Sequence, residues 1–117
     1  MVTIDFLTRK ITCMQATGTA NDEAQKYGYE SWINYCYKVN ILTRLVSNCP
    51  CCSSQFTHDN PAVGGHVLAR FNKSIYTECV TPICKRCNDR FKDNQAWKVF
   101  SVHAWYLCRL PNKPPKR

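Results

Sequence analysis

Residues 64–88 read GGHVLARFNKSIYTECVTPICKRCN, and upstream of them residues 47–56 read SNCPCCSSQF. In the longer stretch Val67 and Ala69 alternate with His66, Leu68 and Arg70, the period of a half-buried strand. NKSIYT (72–77) makes a polar, basic tip, and Val80, Thr81 and Ile83 read as the returning strand of a hairpin. Cys84 and Cys87 then form one C-x2-C pair, while Cys49 and Cys52 form another inside a turn that holds a proline. Two such pairs a few tens of residues apart read as a tetrahedral zinc site built from thiolates. The proline and small residues around the first pair let backbone amides turn toward the sulfurs, the hydrogen bonding that thiolate ligands require. Cys51 lies within the same turn, and spacing alone does not choose between it and its neighbours.

The chain carries nine cysteines in 117 residues. Besides the two pairs and Cys51 there are Cys13, Cys36, Cys79 and Cys108; burial on the return strand is the favoured reading of Cys79, with a fifth ligand as the alternative. An odd count suits disulfide pairing poorly, and the opening stretch MVTIDFLTRKITC is broken by Asp5, Arg9 and Lys10, so it has no apolar block of export-signal length. The expectation is zinc in a reducing compartment (cytosol, nucleus or virion interior) and not secretion. No run reaches the length of a membrane span, which predicts a soluble protein without a membrane partner. The length suits a single domain over residues 1–117: an N-terminal arm and helix (1–46), a zinc finger (47–100), and a C-terminal strand with a basic tail (101–117). With 16 basic and 8 acidic residues the formal charge is +8; four thiolates and one divalent cation lower it to roughly +6. Such a field favours polyanions, nucleic acid first among them.

Outward from the finger the pattern is plainer. Val2, Ile4, Phe6, Ile11 and Cys13 keep an approximate period of two, as in a strand or extended arm. ATGTAND (16–22) is a loop in which Asn21 or Asp22 caps a short helical turn. Ser31 caps a helix whose Trp32, Tyr35, Cys36 and Val39 share one face. Ile33, Tyr37, Ile41, Leu42 and Leu45 widen that apolar surface, predicting packing on two sides or against a partner. NDRFKDNQAWKVF (88–100) suits a helix with Phe91, Trp97 and Phe100 inward. VHAWYLCRL (102–110) reads as a final strand with His103 packed among aromatics, and the proline-rich basic tail beyond it is extended.

Knuckle, hairpin and a C-x2-C that opens a helix follow one another in the order of a treble-clef zinc finger, an α+β arrangement. Over residues 49–91 the chain also resembles the HNH (ββα-metal) nuclease family, with GGHV as the catalytic strand and CVTPICKRCNDRF as the return strand and helix. The resemblance implies His66 as general base and Asn88 as the helical ligand of a second divalent cation such as Mg2+, distinct from the structural Zn2+. Gly65 and Cys79 stand where that family carries a metal-binding side chain and an asparagine, and one asparagine alone holds a divalent cation weakly. A looser resemblance, spanning most of the chain, is to small microbial and viral proteins that combine TGTAND-, ESWINYCYK-, GGHV- and TPICKRCN-like words. The expected function is therefore a non-catalytic zinc module that binds nucleic acid through Arg70, Lys73, Lys85, Arg86 and Arg90, with Tyr76 and Phe71 placed to stack or pack. Docking on an acidic protein surface within a nucleoprotein or virion assembly belongs to the same reading. The alternative is an HNH-type endonuclease that hydrolyses DNA phosphodiesters.

Overall fold

In the computed structural model, residues 9–15, 24–92 and 99–110 are described. The strands are β1 (Lys10–Gln15), β2 (Ala62–Asn72), β3 (Ile75–Cys84), β4 (Val99–His103) and β5 (Cys108–Arg109). The α-helices are α1 (Trp32–Val39) and α2 (Lys85–Lys92), and short 3-10 turns cover Ala24–Tyr27, Ile41–Leu45 and Ala104–Tyr106. The strands form one antiparallel sheet in the order β4-β1-β2-β3-β5.

The β2–β3 hairpin is the centre of that sheet and follows from its alternating sequence. Its ladder runs from Ala62 opposite Cys84 to Asn72 opposite Ile75, with one irregularity between Arg70 and Asn72. The tip is shorter than the predicted six residues, because the Asn72 side chain closes it: Oδ1 accepts from the amides of Ser74 at 3.0 Å and Ile75 at 3.1 Å. Ile75, Tyr76 and Thr77 therefore belong to the strand.

Strand parity divides the sheet into two faces. One face buries Ile11, Cys13, Val67, Ala69, Cys79, Ile83, Phe100 and Val102, with Cys49, Cys51, Cys84 and Cys87 of the knuckle region in the same core. On the other face α1 lays Tyr35 and Cys36 over Val80 and Cys108, flanked by Tyr29, Trp32 and Leu110. Ser31 caps α1 as its sequence predicts, accepting from the amide of Asn34 at 3.1 Å. The helix sits so close to β2 that a Cβ on Gly64 would lie 2.5 Å from the Trp32 Cβ and 2.6 Å from its carbonyl carbon. Only glycine allows that approach.

The α+β class holds, but the hairpin is not a free-standing finger with arms; β1 and β5 flank it and β4 extends the sheet. Other corrections are local. Val39 is half exposed, and Ile41, Leu42 and Leu45 lie on the surface of a 3-10 turn that turns them away from both cores. Phe100 is buried as expected but on strand β4, not on a helix, and α2 starts at Lys85, ahead of Cys87. Residues 102–110 do not form one strand, because the 3-10 turn Ala104–Tyr106 separates the end of β4 from β5. The outer arm before Arg9, the ATGTAND loop with Asn21 and Asp22, Trp97, the Phe91 side chain and the tail beyond Leu110 lie outside the described residues. Among the described residues no helix is long and apolar enough to cross a membrane.

Candidate metal centre

The knuckle forms because the chain doubles back over residues 48–55. Asn48 bridges Gln55, the Cys49 amide donates to the Ser54 carbonyl at 2.8 Å, and the Ser53 amide donates to the Cys49 carbonyl at 2.7 Å. Ser53 takes a left-handed backbone, φ 67°, a conformation a non-glycine residue holds only when its surroundings impose it. The second pair comes from the junction of β3 and α2, with Cys84 ending the strand and Cys87 in the first turn of the helix. That junction is tied down from the DNP segment: the Lys85 amide donates to the Pro61 carbonyl at 2.9 Å, and the Arg86 amide to Oδ1 of the buried Asn60 at 2.9 Å.

These two pieces bring the sulfurs of Cys49, Cys52, Cys84 and Cys87 within 4.8 Å of one another. Cys52 and Cys84 sulfurs are 3.7 Å apart. Ligands about 2.3 Å from a tetrahedral zinc have sulfur–sulfur edges of about 3.8 Å, so the donor set fits a metal ion of that kind in both chemistry and size. The Cys84 amide donates to the Cys49 sulfur at 3.3 Å and the Cys87 amide to the Cys84 sulfur at 3.4 Å, the bonds that stabilise bound thiolates.

The thiols differ in acidity. At Cys52 burial raises the pKa, but hydrogen bonds from the Ser54 side chain and amide, and from Cys87 and Cys84, outweigh it and hold the group at about 6. Burial pushes Cys49 up to about 11, and burial and then the Cys84 hydrogen bond push Cys87 higher still. One thiolate is thus ready at neutral pH, while Cys49 and Cys87 need a cation to give up their protons.

Cys51, whose role spacing left open, is buried in the adjoining core and is not one of the four clustered residues. Cys79 sits opposite Val67 in the sheet core, where burial pushes its thiol up to about 12; it is a core residue. Cys13 behaves likewise, at about 12.

The nuclease pair is placed differently. His66 lies on the α1 face of β2, edge-on to Trp32 with ring centroids 4.9 Å apart and Nδ1 3.9 Å from Oε1 of Glu78. Asn88 lies on the other face, its Oδ1 3.7 Å from where a Cβ of Gly65 would stand. The sheet runs between His66 and Asn88. Gly65 itself has an immediate structural cause, since a Cβ there would lie 2.3 Å from Cδ1 of the fully buried Ile83. His103 packs its ring on Tyr106, centroids 5.5 Å apart.

The five expected cations fall into two groups, one on α2, which follows the C-terminal end of β3, and one at the hairpin tip where β3 begins. Lys85, Arg86 and Arg90 are on α2 beside the sulfur cluster, where Lys85 is paired with Asp89 at 2.8 Å. Arg70 and Lys73 are at the hairpin tip, joined there by a residue that local pattern does not reveal, Arg9. Its Nη2 donates to the Phe71 carbonyl at 3.2 Å, because β1 pairs alongside β2 and carries Arg9 to the tip. Tyr76 is half exposed under Arg70, whose guanidinium carbon is 5.8 Å from the ring centre. Phe71 packs toward the core with Arg109 over it at 5.5 Å.

Comparison with protein-family models, with curated proteins and with solved structures finds no match to this chain.

Proposed function

We propose that this protein is a zinc-stapled, treble-clef-like module that binds nucleic acid and does not cleave it. The observation that carries the reading is a division of labour along one hairpin. Four sulfurs gather at the end where β3 meets α2, and a cationic groove lies at the tip. Cys49, Cys52, Cys84 and Cys87 would hold the zinc; with four protein ligands the ion has no open position for substrate, and it supplies a cross-link to a chain with a small core. His66 meets α1 through Trp32 and lies beside Glu78 of β3, and its separation from Asn88 by the sheet favours a packing role over that of a base. The net charge supplies the attraction to phosphate. The exposed Ile41, Leu42 and Leu45 favour a second, compatible reading in which the module docks in a larger assembly while it holds nucleic acid.

The test is fluorescence anisotropy with labelled single- and double-stranded oligonucleotides over a salt series, alongside incubation with supercoiled plasmid in Mg2+, Mn2+ or Ni2+. Binding that weakens steeply with salt, with the plasmid intact, is the expected outcome. Cleavage abolished by His66→Ala would establish the nuclease alternative instead, and absence of salt-dependent binding would refute the nucleic-acid reading.

A further inference from the structure

The hairpin tip carries a groove of about 460 Å3 lined by Arg9, Arg70, Phe71, Asn72 and Lys73. Among the described residues, three of the five that line it are cations and none is acidic. Both arginines are fixed by the tip's own backbone: Arg9 Nη2 donates to the Phe71 carbonyl at 3.2 Å, and Arg70 Nη2 to the Lys73 carbonyl at 2.7 Å. A guanidinium has five N–H donors in a planar fork, so one anchoring bond orients it and leaves donors for an anion. The arginines are thus held in place before any ligand arrives, which lowers the ordering cost of binding.

The anion has a recognisable chemistry. The groove's cations, at the hairpin tip, present positive donors suited to phosphate oxygens. Beside the groove, Tyr76 presents a ring that is 47 % exposed, on the strand position directly opposite Arg70. Phosphate-binding cations next to a half-exposed aromatic ring are the combination that holds single strands, whose bases splay out and stack, whereas a duplex keeps its bases out of reach.

Resting on the nucleic-acid reading above, we infer that the hairpin tip is a single-strand clamp. Arg9, Arg70 and Lys73 take consecutive backbone phosphates and Tyr76 stacks the adjoining base. The α2 cations Lys85, Arg86 and Arg90 do not line this groove.

The experiment uses the full-length, metal-loaded chain and a labelled 20-nucleotide oligothymidylate, its oligouridylate counterpart and a 20-base-pair duplex. The combined variant Arg9→Gln, Arg70→Gln, Lys73→Gln is expected to weaken single-strand binding at least about tenfold and to make the salt slope shallower by about 2, from three contacts at about 0.7 each. A charge-matched variant, Lys26→Gln, Lys38→Gln, Arg44→Gln, is expected to leave the salt slope close to wild type. Tyr76→Ala is expected to weaken single-strand binding at least about 5-fold with the duplex unaffected. Because both arginines also tie down the tip, Lys73→Glu, which keeps both backbone anchors, is measured too and is expected to weaken binding with an unchanged melting temperature. Loss of binding in Lys85→Gln, Arg86→Gln, Arg90→Gln with the tip variants intact would overturn the clamp while sparing the nucleic-acid reading. Equal losses in the charge-matched variant, or tighter binding to duplex than to single strands, would also overturn it. Wild-type protein that binds no oligonucleotide would overturn both.

Discussion

Stripping the proposed zinc from the four-cysteine cluster would open the loop that it closes, whose ends, Cys49 and Cys84, are 35 residues apart in sequence. A cross-link over a loop of that length removes about 4 kcal/mol of unfolded-chain entropy, and a metal clip acts on the chain in the same way. Net stabilities of single domains are only about 5–15 kcal/mol, so the loss is a large fraction of the whole. At about 2.1 cal/mol/K of unfolding entropy per residue, 4 kcal/mol across 117 residues lowers Tm by about 15 °C. The assay is elemental analysis paired with thermal melting by circular dichroism, before and after dialysis against excess chelator. Cys52→Ser and Cys51→Ser make the informative pair: one apart in sequence, only the first belongs to the cluster. The first should arrive without metal and melt like the stripped protein, while the second should keep its equivalent of metal. Metal-free protein melting within about 3 °C of the loaded form would refute the clip argument, as would metal loss in Cys51→Ser.

Gly64→Ala should detach the first turn of α1, because its methyl would stand 2.5 Å from the Trp32 Cβ where about 3.5–4.0 Å is needed. The expected cost is about 1–3 kcal/mol, read from denaturant midpoints and near-ultraviolet circular dichroism, and an unchanged midpoint would contradict the close approach. Asn60→Ala leaves the Arg86 amide without its Oδ1 acceptor at the start of α2 and should cost about 1–2 kcal/mol, together with weaker metal retention in a chelator competition. Stability should also fall in alkali. Unfolded thiols ionise near 9, whereas burial holds Cys13 and Cys79 protonated to about 12, so the stabilisation is complete below pH 9 and is lost as pH climbs toward 12. The slope is at most about 1.4 kcal/mol per pH unit for each thiol, and urea midpoints that stay level from pH 8.5 to 10.5 would count against buried, protonated thiols.

What could be read in advance was whatever local chemistry decides. Ser31 capping α1, the alternation of Val67 and Ala69 against His66 and Leu68, and the two C-x2-C pairs all act over a few residues, and each takes the place expected. Sheet assembly is not local: nothing near Ile11 or Phe100 announces that β1 lies between β2 and β4, so local pattern reads Phe100 as helical and gives Arg9 no role. The placing of His66 and Asn88 was missed for a different reason. Strand parity put Gly65, not His66, toward α2, and a motif matched by its letters carries no record of which face each letter occupies. Asn60 had a faint signal in its turn-forming Asn-Pro step, but its buried acceptor role depends on where α2 begins.

The place of β1 in the sheet also sets an order of events. β1 is the earliest described strand to leave the ribosome, yet its partners come much later: Thr12 pairs with Arg70, and Ile11 with Val102. Knuckle, hairpin and α2 lie together in the middle of the chain and close on one another first, since contacts between nearby segments cost less loop entropy. Until β4 is made, Ile11 and Cys13 lack one neighbour, and β1 remains an edge open to pairing with other chains. The late arrival of β4, not the gathering of the four cysteines, therefore covers β1, and a truncation just before Val99 would leave the buried strand β1 as an adhesive flank.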